Sequence, residues 1–268
     1  MIDSFDGLDP AASADTDGSR TGDDPAPSHE STPPDHSHIR TIALDRPQAR
    51  NALTVDGLES LAATVESLSA GTDAPAVIYL HGRGPAFCAG ADLTAVADLD
   101  GDRDAAREFA RLGQRVARAI ETSPAVVIAG IDGPAMGGGL ELALACDVRV
   151  GTPASTYGEP GVTFGLFGAW GGTARLPQLV GEGNALEFAL SGRTVDAEEA
   201  LRMGLISRIE DDPRTVAASI AENPSETVSV LKRRLRDDSE RAEQERREAD
   251  AFADLVAAHA DEIESVLE

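Results

Sequence analysis

The segment 132–144, Asp-Gly-Pro-Ala-Met-Gly-Gly-Gly-Leu-Glu-Leu-Ala-Leu, constrains the fold of this 268-residue chain more than any other. The apolar run Ala125 to Ile131 leads into it and reads as a buried strand of a parallel sheet. Asp132-Gly133-Pro134 interrupts that run. Gly137, Gly138 and Gly139 follow, and then Leu140, Leu142, Ala143 and Leu144 predict a helix. Consecutive glycines let a backbone approach a ligand closely, and the first amides of the following helix have no partner within it. Those amides, with the helix dipole behind them, suit a negative charge. Glu141 stands about one turn past the first glycine, so an anion site and a titratable group are predicted side by side.

A second stretch of the same shape lies some fifty residues upstream: Tyr79-Leu80-His81-Gly82-Arg83-Gly84-Pro85-Ala86-Phe87-Cys88-Ala89-Gly90-Ala91-Asp92-Leu93. Two shorter stretches accompany the pair, Leu44-Asp45-Arg46-Pro47-Gln48-Ala49-Arg50-Asn51-Ala52-Leu53 and Gly171-Gly172-Thr173-Ala174-Arg175-Leu176. In this order and at this spacing, the four stretches resemble the enoyl-CoA hydratase/isomerase (crotonase) superfamily from about Ile39 onward. The resemblance implies an α/β fold, a crotonase-like core of repeated ββα/βαβ units with a helical C-terminal region.

Composition narrows the function classes. The chain carries 47 acidic against 23 basic residues, a net charge of −24, and Lys232 is its only lysine. A nucleic-acid binder would have the opposite sign. The acidic excess runs through the folded part as well as the N-terminus, which reads as a halophile-like surface that stays hydrated and self-repelling. Two cysteines, Cys88 and Cys146, form no disulfide framework and read as buried thiols. No stretch reaches the ~20 apolar residues of a membrane span, and the N-terminus lacks a basic-then-apolar signal region. A cytoplasmic protein with no nucleic-acid or membrane partner is expected.

Three regions follow from the pattern: an acidic tail over 1–37, expected to be disordered; an α/β core over 38–190; and a helical region over 191–268, which the resemblance implies serves oligomerisation and covers the active site, its apolar stripe fitting core packing equally well. Residues 38–44 read as a strand, and the preceding antiparallel strand that the resemblance implies looks lost or degraded. Helices are predicted over 54–69 and 102–122, with a strand over 76–80 between them. Strand-like 148–150 and extended 155–158 come next. Helices then follow at about 172–180, 182–190, 196–203, 213–221, 225–236 and 239–266, the last with Phe252, Val256, His259, Ile263 and Val266 on one face.

The resemblance assigns roles by motif position. The amides of Ala91 and Gly138 would flank a thioester oxygen and stabilise the enolate that forms when a proton moves at the neighbouring carbon. Glu141 matches the carboxylate that orients and deprotonates water. Ala49, Ala89, Asp92, Leu93, Thr94 and Gly137 match positions lining the acyl-CoA. Thr94 stands where many relatives carry a phosphate-binding lysine, so Arg46, Arg50, Arg83 or a neighbouring subunit would meet the phosphates. The second glutamate of the hydratases is absent: Gly161 follows Pro160 in its place. Glu159 lies two residues earlier, and steps of two along an extended segment return a side chain to the same face; an ordinary surface glutamate is the competing reading. Phe164, Phe167 and Trp170 read either as a bulky acyl-pocket lining or as core. The expected reaction is hydration of a 2-enoyl-CoA to a 3-hydroxyacyl-CoA by a homotrimer or homohexamer, with no cofactor beyond the CoA of the substrate and no metal. The alternatives are another enolate-type reaction (isomerisation, decarboxylation or thioester hydrolysis) using one carboxylate, or a silent CoA-ester-binding subunit.

Overall fold

The computed structural model describes residues 2–3, 38–70 and 74–265. In chain order the elements are β1 (Ile2–Asp3), β2 (Ile39–Leu44), α1 (Val55–Ser69), β3 (Val77–Gly82), α2 (Leu93–Ala97), α3 (Arg103–Thr122), β4 (Val126–Ile131), β5 (Pro134–Met136), α4 (Gly138–Ala145), β6 (Val148–Gly151) and β7 (Thr156–Gly158). They continue as α5 (Gly172–Val180), α6 (Glu182–Ser191), β8 (Thr194–Asp196), α7 (Ala197–Met203), β9 (Arg208–Ile209), α8 (Arg214–Ala221), α9 (Ser225–Leu235), α10 (Arg241–Ala258) and α11 (Ala260–Ser265).

The main sheet runs β1-β2-β3-β4-β6-β9, with β1 antiparallel and every other pairing parallel. Side chains alternate across a strand, and here both faces are covered, so the strands read as unbroken apolar runs. Ile78, Leu80 and Val127 pack with Leu58, Leu61, Val116 and Ile120 of α1 and α3. Val77, Tyr79, Val126 and Ile128 face the other way, against Val216 and Ala217 of α8. Side-chain oxygens close two helix starts: Thr54 accepts from the Gly57 amide, and Asp102 from those of Asp104 and Ala105.

A smaller sheet, β5-β7-β8, stands at the carboxyl end of β4. Met136 lies opposite Gly158 in its parallel register. This sheet carries the glycine loop ahead of α4, so it places the site.

The antiparallel first strand is degraded rather than lost, reduced to the two residues Ile2–Asp3, paired with Leu44 and Ala43. Two residues isolated by an acidic stretch are too few for alternation to reveal. The single last helix is broken at His259 (φ −115°, ψ 27°) into α10 and α11. The disorder expected for 1–37 falls, apart from Ile2 and Asp3, outside the described residues, as does Val266.

Candidate active site

The two glycine loops are bonded to one another through their backbones. Cys88 N–H donates to Pro134 O (3.1 Å) and Met136 N–H donates to Cys88 O (2.9 Å). On its other side the first loop meets the segment after β2: Leu53 N–H donates to Gly90 O (2.8 Å), and Asp92 N–H to Leu53 O (2.9 Å). This bridging pattern skips the amide of Ala91. Gly137 N–H is taken by Gly158 O (2.9 Å), whereas Gly138 opens α4, where helix amides have no internal acceptor. Among the described residues neither Ala91 N–H nor Gly138 N–H donates a hydrogen bond. The close approach requires glycine at position 90. Its φ is +99°, and a Cβ there would stand 2.7 Å from Met136 O and 3.1 Å from the Gly138 nitrogen.

Asn51 holds the first loop in shape, a role its sequence position did not reveal. It is buried in a left-handed conformation (φ 57°), and its Nδ2 donates to the carbonyls of Arg83, Ala86 and Phe87 at 3.0, 2.8 and 3.2 Å. Its Oδ1 accepts from Arg46 N–H (2.9 Å).

Glu141 projects from the first turn of α4 and is 1 % exposed. Its Oε1 accepts from Trp170 N–H (2.9 Å) and Gly172 N–H (2.7 Å), so the start of α5 grips the carboxylate. Glycines again make room: a Cβ at Gly168 would lie 2.6 Å from Glu141 Oε2, and one at Gly172 would lie 2.8 Å from Oε1. Burial pushes the Glu141 carboxyl above the usual carboxylate range, against the pull of the amides from Gly172 and Trp170. The gripping segment is itself tied down. Gln114 Nε2 donates to Ala169 O (2.9 Å), and Arg175, paired at 2.6 Å to both oxygens of Glu121, donates to Trp170 O (3.1 Å).

Glu159 immediately follows β7 and is 9 % exposed, so the surface reading is corrected. Its carboxyl group makes no hydrogen bond or ion pair among the described residues. Burial, and then the charge of Glu141, push it up to about 8. It borders a cavity of about 870 Å³ whose other walls include Leu166, Phe167, Gly168, Gly172 and Leu186. Gly168 and Gly172 are the residues against which the Glu141 carboxylate lies. Gly161 sits in the 3-10 turn Pro160–Phe164, and its carbonyl accepts from Leu166 N–H (2.9 Å).

Several expected contacts take other roles. Arg46 donates to Ala52 O (2.6 Å) and pairs with Asp92 (3.0 Å), which also caps α2 by accepting from Thr94 N–H (2.9 Å). This arginine–aspartate pair therefore joins two loops, and the Arg46 contact holds the Asp92 carboxyl below its ordinary range. Arg83 pairs with Asp45 (3.5 Å). Leu93 and Thr94 are exposed on α2, while Ala49 and Ala89 sit half-buried in the bonded loops. Trp170 is 3 % exposed and belongs to the core, edge-on to Phe109 at 6.0 Å; its ring fills the space above Gly113 and Gly138. It acts on the site through its amide and by backing Gly138, not as a cavity wall. Phe164 and Phe167 are exposed, the latter at 72 %. Cys88 and Cys146 are free and buried, as expected. No group of three or more His, Cys, Asp or Glu side chains among the described residues could hold a metal ion, and none of their helices is long and apolar enough to cross a membrane.

The enoyl-CoA hydratase/isomerase family description matches residues 35–266, most of the chain. The chain belongs to this family. A crotonyl-CoA hydratase of Syntrophomonas wolfei is 38 % identical over 174 residues, covering 64 % of this chain and 65 % of that protein. The matched stretch thus spans just under two thirds of that relative's length. The short-chain-enoyl-CoA hydratase of Clostridium acetobutylicum is 30 % identical over 74 % of this chain and 77 % of its own. The crystal structure of an enoyl-CoA hydratase from Bacillus anthracis superposes with a TM-score of 0.76 at 30 % identity, covering 82 % of this chain and 88 % of that one. The expected crotonase fold is therefore present, two-loop architecture included.

Proposed function

We propose that this protein hydrates a 2-enoyl-CoA to a 3-hydroxyacyl-CoA. The observation that carries the reading is the convergence of two undonated amides, Ala91 and Gly138, from two bonded loops, with the gripped carboxylate of Glu141 one turn into α4. Adding water at the β-carbon drives electrons onto the thioester oxygen. Two fixed amides stabilise that charge where it forms, and loss of one such donor typically costs ~3–4 kcal/mol of barrier. Glu141 takes a proton from the attacking water. Its raised pKa makes it a stronger base than a surface carboxylate once ionised. The thioester itself acidifies the α-position, so the proposal calls on no cofactor beyond the CoA of the substrate.

The relatives' names support an enoyl-CoA substrate of short chain. With Arg46 committed to Asp92, exposed Arg50 is the remaining candidate on the loop after β2 to meet the CoA phosphates. A homotrimer or homohexamer is part of the same proposal. Exposed Leu166 and Phe167 adjoin exposed Leu186 and Leu190 of α6, and such a joined apolar surface suits a second copy.

The test is crotonyl-CoA hydration, followed by loss of enoyl absorbance in molar KCl. Wild type should turn over, and Glu141→Gln should lose ~10²–10⁴-fold in kcat with CoA-ester affinity little changed. Tight ester binding without turnover in wild type would favour the silent binder. Release of free CoA would favour thioester hydrolysis.

A further inference from the structure

Pro160 is followed by Gly161, so the expected second carboxylate is missing, and the crowding around Gly161 leaves little room for one. A Cβ there would stand 3.1 Å from Leu166 O and 3.2 Å from its carbonyl carbon. Two residues earlier, Glu159 is buried and unpartnered. Desolvating a carboxyl without a hydrogen bond or counter-ion is unfavourable, and nothing structural is gained in return, since Glu159 neither caps the turn that follows nor joins an ion pair. Its position is also specific. The parallel register sets Met136 opposite Gly158, and Gly137 N–H donates to Gly158 O, which places Glu159 beside the glycine loop that carries the Gly138 amide. Gly168 and Gly172, against which the Glu141 carboxylate lies, line the same cavity as Glu159.

We infer that Glu159 is the group that exchanges the proton at the acyl α-carbon, in place of the side chain missing at Gly161. The inference rests on the enolate reading of the site given above. In hydration, the oxygen of water bonds to the β-carbon as Glu141 takes one of its protons. The π pair of the C=C bond moves through the α-carbon onto the thioester oxygen. The enolate then collapses, and the protonated Glu159 gives its proton to the α-carbon. One water is consumed, Glu141 has gained one proton and Glu159 has lost one, and exchange with solvent resets both. Two carboxyls in such proximity separate into an ionised base and a protonated acid. Burial and the neighbouring charge make Glu159 the one that keeps its proton at neutral pH.

Two assays separate this inference from the reading it rests on. The first is crotonyl-CoA hydration across pH 5–10. The second is exchange of the α-protons of saturated butyryl-CoA in D₂O, which needs the oxyanion amides and the α-carbon base but no added water. Wild type should do both, with hydration falling above pH of about 8 as Glu159 loses its proton. Glu159→Gln keeps the shape and should lose ~10²–10⁴-fold in both assays and lose the alkaline limb, with butyryl-CoA affinity held and the melting temperature unchanged at pH 5, where wild-type Glu159 is protonated. Glu141→Gln should abolish hydration while leaving more exchange than Glu159→Gln does. If wild type exchanges but does not hydrate, and Glu159→Gln stops the exchange, the hydratase reading fails and the assignment of Glu159 stands. If Glu159→Gln retains hydration and exchange within threefold, the assignment is overturned. A wild type without exchange overturns it as well.

Discussion

At the residue scale the site depends on which polar groups are left unsatisfied. By themselves the glycine run and its one carboxylate pointed only to an anion site beside a titratable group. Ala91, Gly138 and Glu141 were legible through the resemblance, whose motif positions name them. The service roles of Asn51 and Asp92 were not, because each is set by partners 32 to 46 positions away. Glu159 was ambiguous in the sequence, since alternation along a strand fixes a face but not what covers it. The burial of Glu159 also has a consequence for stability. Its folded pKa, about 8, lies above the ordinary 4.5, so the folded protein keeps a proton that the unfolded chain releases. This contribution is fully present below pH 4.5 and is lost as pH rises toward 8, at no more than ~1.4 kcal/mol per pH unit. Urea unfolding of wild type and Glu159→Gln should therefore agree near pH 5 and diverge toward pH 8, wild type losing stability along a downward slope that the variant lacks. Parallel curves would show Glu159 ionised throughout. The geometry also tempers a natural repair, because Gly161→Glu must push back the Leu166 carbonyl. It should lower the melting temperature rather than simply add a second carboxylate.

At the element scale, long periodic segments declared themselves. The predicted 54–69 and 102–122 are α1 and α3 to within a residue, because each presents a broad apolar stripe to the sheet. The three-residue strands β5 and β8 and the five-residue α2 stayed hidden, being shorter than any period they could display. Yet the small sheet aligns the glycine loop ahead of α4, so the least legible elements sit nearest the candidate site. Trp170 links two larger ones. Its ring leans on Gly113 of α3 and Gly138 of α4, while its amide grips Glu141. A Cβ at Gly113 would fall 2.1 Å from the indole. Gly113→Ala should thus destabilise by roughly 1–3 kcal/mol, the usual range for overpacking, and should lower kcat by disturbing the grip on Glu141. In a Trp170→Ala background the same substitution should cost much less, because the clash is gone. Chemical denaturation of the four proteins gives the coupling, and additive losses would show that the ring does not transmit the strain.

At the scale of the whole molecule, charge decides. The chain has 47 acids and 23 bases, so a net 24 negative charges are uncompensated whatever pairs form. Surface pairs do form, and α10 carries a cluster in which Arg246 and Arg247 both meet Glu243. Exposed pairs of this kind add little and are screened by salt, so their loss on adding salt is a small term. Repulsion among the unpaired carboxylates is the larger one, and it opposes both compactness and self-association. Raising ionic strength from 0.1 M to 1 M shortens the screening length from ~10 Å to ~3 Å, below the spacing of most surface charges. Buried pairs respond less: Lys232, whose Nζ lies 2.7 Å from Asp147 and 2.8 Å from Ala125 O, ties α9 to the starts of β4 and β6 with little dependence on salt. The net expectation is a melting temperature that climbs with KCl into the molar range and levels off once screening is complete. Light scattering should show larger particles over the same interval, as the apolar surface of Phe167, Leu186 and Leu190 finds a second copy. The control is potassium glutamate at matched ionic strength, which should give the same midpoint if screening is responsible. A melting temperature that stays flat or falls with KCl would mean that the pairs, not the unpaired carboxylates, govern this surface.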